Sequence, residues 1–210
     1  MELSTIKTTL DTIGYYSIQS EIPFEKFKEL SLGLGRITAI NAIRCKKDFS
    51  KGERIFYINS DMAAPFHTDG LYTDYVAWYC IDPGHENEET LLLDVRSILN
   101  QFSDTEKSCL KKVMFYNLNA GSFPILRSEN PLDFYFVPSQ ISKSKKHGKN
   151  LELLKKVHDV IEKTSQNNII RIKYKRKRCL FLNNKTFLHG RSKLNAQTTR
   201  HLKRLWIQKP

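Results

Sequence analysis

Short, evenly scattered β-prone runs limit what this chain can become. From residue 169 onward there are four, at 169–174, 179–182, 186–189 and 201–207. Apolar stretches of strand length, bounded by polar or turn residues, favour sheet over helix. Earlier candidates fall at 15–18, 37–43, 53–58, 75–81, 90–95, 113–118 and 134–137, with turns at Lys51-Gly52 and Asp82-Pro83-Gly84. Helical spacing is confined to four places. The first is 24–30, opened by Pro23 and ending near Gly33 and Gly35. The second and third are 95–102 and 104–112, with Ser103 or Asp104 as the cap of the latter. The fourth is 151–161, where Leu151, Leu154, Val157, Val160 and Ile161 form one face. The pattern predicts a mainly β fold with flanking helices, a jelly roll or other double-sheet architecture.

At 210 residues, with 12 Phe and 9 Tyr, the chain can bury a substantial core, and we expect a single domain over 1–210. Cys45, Cys80, Cys109 and Cys179 are dispersed and form no Cys-x-x-Cys pair. That argues against a thiolate zinc site or a disulfide framework and for reduced, mostly buried thiols. No apolar run approaches the roughly 20 residues that span a bilayer. The Met1-Glu2-Leu3-Ser4 start lacks a secretory pattern, so a cytoplasmic protein without membrane contact is expected.

Two His and one Asp carry the most chemistry. His67 and Asp69 lie in Pro65-Phe66-His67-Thr68-Asp69-Gly70, and His189 lies far downstream in Phe187-Leu188-His189-Gly190-Arg191. In an extended segment residues two apart share a face, so His67 and Asp69 would point together into a barrel while Thr68 points away. A distant His would complete two imidazoles and one carboxylate on one side of a metal. That set suits Fe(II) and O2 chemistry, because the open positions accept a bidentate co-substrate and then dioxygen. His-x-Asp alone is weak, and an isolated His is commonly structural.

The carboxy-terminal run strengthens it. If 200–207 is a strand, Arg200, Leu202, Arg204 and Trp206 share one face. An inward guanidinium needs an anion, and a dicarboxylate co-substrate would supply one. The competing reading is an exposed edge strand guarded by basic residues.

Together these pieces resemble the taurine dioxygenase-like branch of the Fe(II)/2-oxoglutarate-dependent oxygenases. The resemblance covers most of the chain beyond about residue 60. It rests on Phe66-His67-Thr68-Asp69-Gly70, on Glu89-Thr90-Leu91-Leu92-Leu93-Asp94, and on Phe181-Leu182-Asn183-Asn184 through Leu188-His189-Gly190-Arg191 to Arg200-His201-Leu202-Lys203-Arg204-Leu205-Trp206. It implies a double-stranded β-helix (jelly roll, cupin-like) core and iron held by His67, Asp69 and His189. It further implies that Thr90 and Arg204 hold the far carboxylate of 2-oxoglutarate, with Arg200 as an accessory Arg. The implied reaction hydroxylates an unactivated C–H of a small molecule, an amino acid or related acid, and releases succinate and CO2. The same three ligands also serve desaturation, cyclisation and epimerisation. Lys175-Arg176-Lys177-Arg178 stands where the family usually carries a Gly-Asp turn.

For the substrate, the expectation is an anionic or zwitterionic small molecule. Arg191 is a candidate for its carboxylate, with a structural ion pair as the alternative. Phe66 and Tyr72, with Tyr75 and Trp78, are candidate pocket walls, although aromatics near strands are commonly core. The 34 Lys and Arg against 22 Asp and Glu give a net charge of +12. Much of the excess sits at 143–149, read as a solvated loop, and at 173–178, read as a hairpin tip. Solubility accounts for both. A same-fold oxygenase acting on nucleic acid or protein, or a binding module without catalysis, are the rival classes. The oligomeric state is open.

Overall fold

Alternation along each strand sorts side chains into three apolar layers around two antiparallel sheets. The computed structural model describes residues 2–45, 60–117, 121–138 and 150–210. The expected strand at 53–58, the Lys51-Gly52 turn and the basic run 143–149 lie outside those residues. The five-stranded sheet runs β1 (Tyr15–Ile18), β11 (Cys179–Asn183), β4 (Tyr75–Asp82), β13 (His201–Gln208), β2 (Arg36–Arg44). The four-stranded sheet runs β10 (Ile170–Ile172), β5 (Thr90–Asp94), β12 (Phe187–Arg191), β3 (Ala64–His67). Two hairpins, β6 (Met114–Asn117) with β7 (Gly121–Pro124) and β8 (Leu126–Glu129) with β9 (Leu132–Phe134), accompany them. The expectation of a mainly β chain with flanking helices is met.

On β4, Val76, Trp78 and Cys80 turn toward the second sheet with their sheet neighbours Leu180, Leu182 and Leu202, and there they meet Leu92 and Phe187. Tyr75, Ala77 and Tyr79 turn the other way, onto Ile6 and Leu10 of α1 (Glu2–Thr12) and Phe27, Leu30 and Leu34 of α2 (Phe24–Leu34). Behind the second sheet, Leu93 and Leu188 pack with Ile98 of α3 (Val95–Leu99), Leu110 of α4 (Asp104–Leu110) and Leu154, Val157 and Ile161 of α5 (Asn150–Ser165). The period-two pattern thus gives each sheet a helix-covered outer face and a shared inner one. Ser103 caps α4 in a reciprocal box with Glu106, as the sequence suggests.

Three sequence expectations change. α1 was not expected. Residues 173–178 are not a hairpin tip: β10 belongs to one sheet and β11 to the other, so this segment crosses between them. Its charges are partly engaged, Lys173 with Glu89 at 3.9 Å, Lys177 with Glu21 at 3.4 Å and Arg178 with Gln19 at 2.9 Å. Of the cysteines only Cys80 and Cys179 are buried, and burial pushes both thiols up to about 12. No helix among the described residues is long and apolar enough to cross a membrane.

Candidate metal centre

β12 lies between β5 and β3, and its inward residues Phe187, His189 and Arg191 look onto the space between the sheets. His189 sits directly opposite His67 in the β12–β3 register, with ring centroids 4.4 Å apart. Asp69 follows two residues after His67, past the strand end, and its carboxylate reaches between the two rings. The Asp69 Oδ1 is 3.9 Å from His67 Nε2, and the Asp69 Oδ2 is 3.6 Å from His189 Nε2. The three side chains offer ligand atoms all within 4.8 Å of one another. The structure therefore brings together the triad that the sequence nominated.

The main chain around it is clamped twice. Thr68, turned away from the cavity, donates its N–H to Phe136 O at 2.8 Å, and its Oγ1 accepts the Phe136 N–H at 3.1 Å. Asn184 accepts the Asp69 N–H on Oδ1 at 2.9 Å and donates Nδ2 to Thr73 O at 2.9 Å and Asp69 O at 3.3 Å. Sequence reading gave Asn184 no role; an Asn-Asn pair at the end of a β-prone run reads only as a turn. Trp78, edge-on to His189 at 5.0 Å, is the aromatic wall behind the ring.

The protonation pattern suits a cation. His67 Nδ1 lies 2.8 Å from Pro65 O, so that nitrogen donates to the carbonyl and Nε2 is the atom left for a metal. Burial, then the neighbouring His67, pulls His189 down to about 3, so it is a neutral imidazole. Burial opposes ionisation of Asp69, yet the Arg204 guanidinium beside it outweighs that and holds the carboxyl below its usual range. The Asp69 Oδ2 and both His189 ring nitrogens are buried without a hydrogen-bond partner among the described residues. Such orphans are costly unless a ligand satisfies them. Two imidazoles and a carboxylate fit a divalent transition metal.

Arg204 on β13, and Arg200 just before that strand, enter the same cavity. Arg204 Nη1 donates to Asp69 Oδ1 at 2.8 Å. Arg200 is 3% exposed, and its Nη2 donates to Thr90 Oγ1 at 3.0 Å. Among the described residues no carboxylate lies within ion-pair distance of it. The expected partnership of Thr90 with Arg204 is thus replaced. Thr90 is opposite Arg191 at one end of β5, where Arg200 reaches it, while Arg204 lies farther along β13 beside the triad.

These groups line a cavity of about 260 Å³ whose remaining described walls include Ile43, Pro65, Trp78, Val137, Pro138 and Leu202. Arg191 also lines it, but its Nη2 is committed to Ser60 O at 2.8 Å and Met62 O at 2.5 Å. Three wall candidates lie elsewhere. Phe66 alternates with His67 and so faces the outer core, and Tyr72 is 65% exposed. Tyr75 faces the helices, and Trp78 alone of the four aromatics lines the cavity.

No protein-family model matches the sequence, and neither does any curated protein. Solved structures do match its fold. An asparagine oxygenase in complex with Fe(II), 2S,3S-3-hydroxyasparagine and succinate superposes with a TM-score of 0.71 at 14% identity, over 99% of this chain and 78% of that one. The non-haem iron oxygenase OrfP, in complex with Fe and α-ketoglutaric acid, gives 0.72 at 14% identity, over 100% and 79%. PvcB from Pseudomonas aeruginosa gives 0.67 at 16%, over 98% and 79%. The chain shares the fold of these oxygenases.

Proposed function

We propose that this cavity is the active site of a non-haem Fe(II)- and 2-oxoglutarate-dependent dioxygenase that hydroxylates an unactivated C–H of a small molecule, an amino acid or related acid. The carrying observation is the pairing of two unmet needs in one cavity. A His67–Asp69–His189 cluster has orphaned ligand atoms, and the buried Arg200 guanidinium has no carboxylate within ion-pair distance among the described residues. A metal answers the first and the remote carboxylate of a dicarboxylate answers the second. The asparagine oxygenase and OrfP, whose crystals hold an amino-acid product and a 2-oxo acid respectively, support the same reading. The two facing sheets are then the halves of a double-stranded β-helix.

In this reading His67, Asp69 and His189 hold Fe(II). Bound iron supplies the dioxygen activation that couples oxidative decarboxylation of 2-oxoglutarate, to succinate and CO2, to hydroxylation of substrate. The protein does the rest. Arg200 and Thr90 bind the remote carboxylate and so orient the keto acid. Arg204 fixes the Asp69 carboxylate and keeps a positive charge beside the metal. Trp78, Leu202 and Ile43 keep the cavity dry.

Anaerobic reconstitution tests this. Fe(II) plus 2-oxoglutarate should give the weak visible absorption of a metal-bound keto acid, and admitting air with a panel of amino acids should release succinate. Arg200→Ala should lose the keto-acid signal while still binding Fe(II). Absence of Fe(II) binding in the wild-type protein, unchanged by His67→Ala, would sink the proposal.

A further inference from the structure

Trp206 comes two residues after Arg204 on β13, so both side chains leave the same face of the strand, and the indole packs, partly buried, against the inter-sheet core. Its six-membered ring lies against Gly70, where an added Cβ would stand 3.1 Å from Cζ3. The Arg204 guanidinium carbon is 5.3 Å from the centre of the ring. One neighbour of the indole is thus the residue after Asp69, and another is the cation that holds the Asp69 carboxylate.

The indole Nε1 is buried and completes no hydrogen bond within the described residues, and the group it faces is that same carboxylate. A Phe would fill the space beside Gly70 and still offer Arg204 an aromatic face. The N–H is what Trp adds, and a buried donor left unpaired is costly. The two oxygens of Asp69 are used unequally. Oδ1 accepts from Arg204 at 2.8 Å, whereas Oδ2, 3.6 Å from His189 Nε2, accepts from nothing among the described residues. An ionised carboxylate oxygen takes two donors, so Oδ1 has room for a second one from the same strand face.

We propose that Trp206 is a positioning residue for the metal: its N–H closes onto Asp69 Oδ1 as an ion takes Oδ2, and with Arg204 it holds the carboxylate as a one-oxygen ligand. Ligating carboxylates depend on such partners for their orientation. A carboxylate held through one oxygen leaves the open face of the metal to a bidentate co-substrate. The inference rests on the metal reading given above.

The test uses the full chain and two ions, Fe(II) under anaerobic conditions and Zn(II) as a diamagnetic probe. The sequence has 2 Trp, so the wild-type spectrum holds two indole N–H signals, and Trp206→Phe identifies one of them by its loss. On adding Zn(II) that signal should move downfield, and its exchange with solvent should slow as the bond closes. Trp206→Phe should bind Fe(II) about ten-fold more weakly, as loss of a partner to a ligating carboxylate implies. The metal-free variant should melt close to wild type, because the N–H it lacks completes no bond there. A Trp206 signal whose exchange Zn(II) leaves unaltered, or an undiminished Fe(II) affinity in Trp206→Phe, overturns the inference and leaves the proposed function standing. A wild-type protein that takes neither ion overturns both.

Discussion

Asn184 grips the main chain of Asp69 from both sides, accepting its N–H at 2.9 Å and donating to its C=O at 3.3 Å, while the same amide reaches Thr73 O at 2.9 Å. The carboxylate at the centre of the triad is therefore positioned through its backbone by a residue on the far side of the β11–β12 turn. Asn184 is 3% exposed, so no water replaces it readily. Asn184→Ala should cost about 1–3 kcal/mol of stability, from the buried groups left unpaired. It should weaken Fe(II) binding as well, whereas a distant core truncation of equal cost should not. Thermal unfolding and Fe(II) titration of the two variants separate these effects.

Arg204 and Asp69 form a nearly dry ion pair at 2.8 Å, and a metal would take over part of its work. Arg204→Ala leaves a buried carboxylate without its cation, and breaking such a pair costs about 3–5 kcal/mol. Fe(II) bound there would add positive charge at the same carboxylate. The gain in melting temperature on adding Fe(II) should therefore be larger in Arg204→Ala than in wild type. Differential scanning calorimetry with and without metal checks it. An equal gain would mean that the guanidinium and the metal do not share Asp69.

Gly190 sets how closely β3 can approach β12. A Cβ there would stand 2.9 Å from the main-chain oxygen of Ala64, at the register shift between His189 and Arg191. Backbone cannot swing aside as a side chain can, so Gly190→Ala should push β3 outward and carry His67 away from His189. The expected result is a folded protein with unchanged far-ultraviolet circular dichroism and markedly weaker Co(II) or Fe(II) binding. Intact metal affinity would show that β3 has room to adjust.

What could be read beforehand follows from what each feature depends on. The inward faces of β12 and β13 depend on strand alternation, so His189, Arg200 and Arg204 were legible as cavity residues, and His67 and Asp69 with them. The partner of Thr90 was not legible. It depends on which of two Arg residues, on the same strand face, lies across from one end of β5. α1 was missed because Thr5, Thr8, Thr9 and Thr12 are poor helix formers. Ile6 and Leu10, each 0% exposed, secure that helix through tertiary packing. Phe66 misled because an aromatic beside a ligand looks like a wall, whereas alternation sends it to the opposite face. The crossover at 173–178 looked like a hairpin because both flanking runs are β-prone, and only sheet membership distinguishes the two.

Glu88 governs Arg200 from a distance. Its buried carboxylate accepts the Asn195 N–H on Oε1 at 2.9 Å and the Thr198 hydroxyl on Oε2, and Thr198 Oγ1 in turn accepts the Arg200 N–H at 3.0 Å. The chain from Glu88 to the start of β13 is thus continuous, and Gly84, at φ +74, has no side chain to collide with that carboxylate. Glu88→Ala leaves these donors unsatisfied and should cost about 1–3 kcal/mol. Because the released segment carries Arg200 but none of the triad, 2-oxoglutarate binding should weaken while Fe(II) affinity holds. Thr198→Val removes the middle link alone and should shift 2-oxoglutarate affinity in the same direction, with a smaller loss of stability. Isothermal titration of both ligands against both variants measures the split, and parallel losses for metal and keto acid would show that the strap supports the whole cavity instead of one guanidinium.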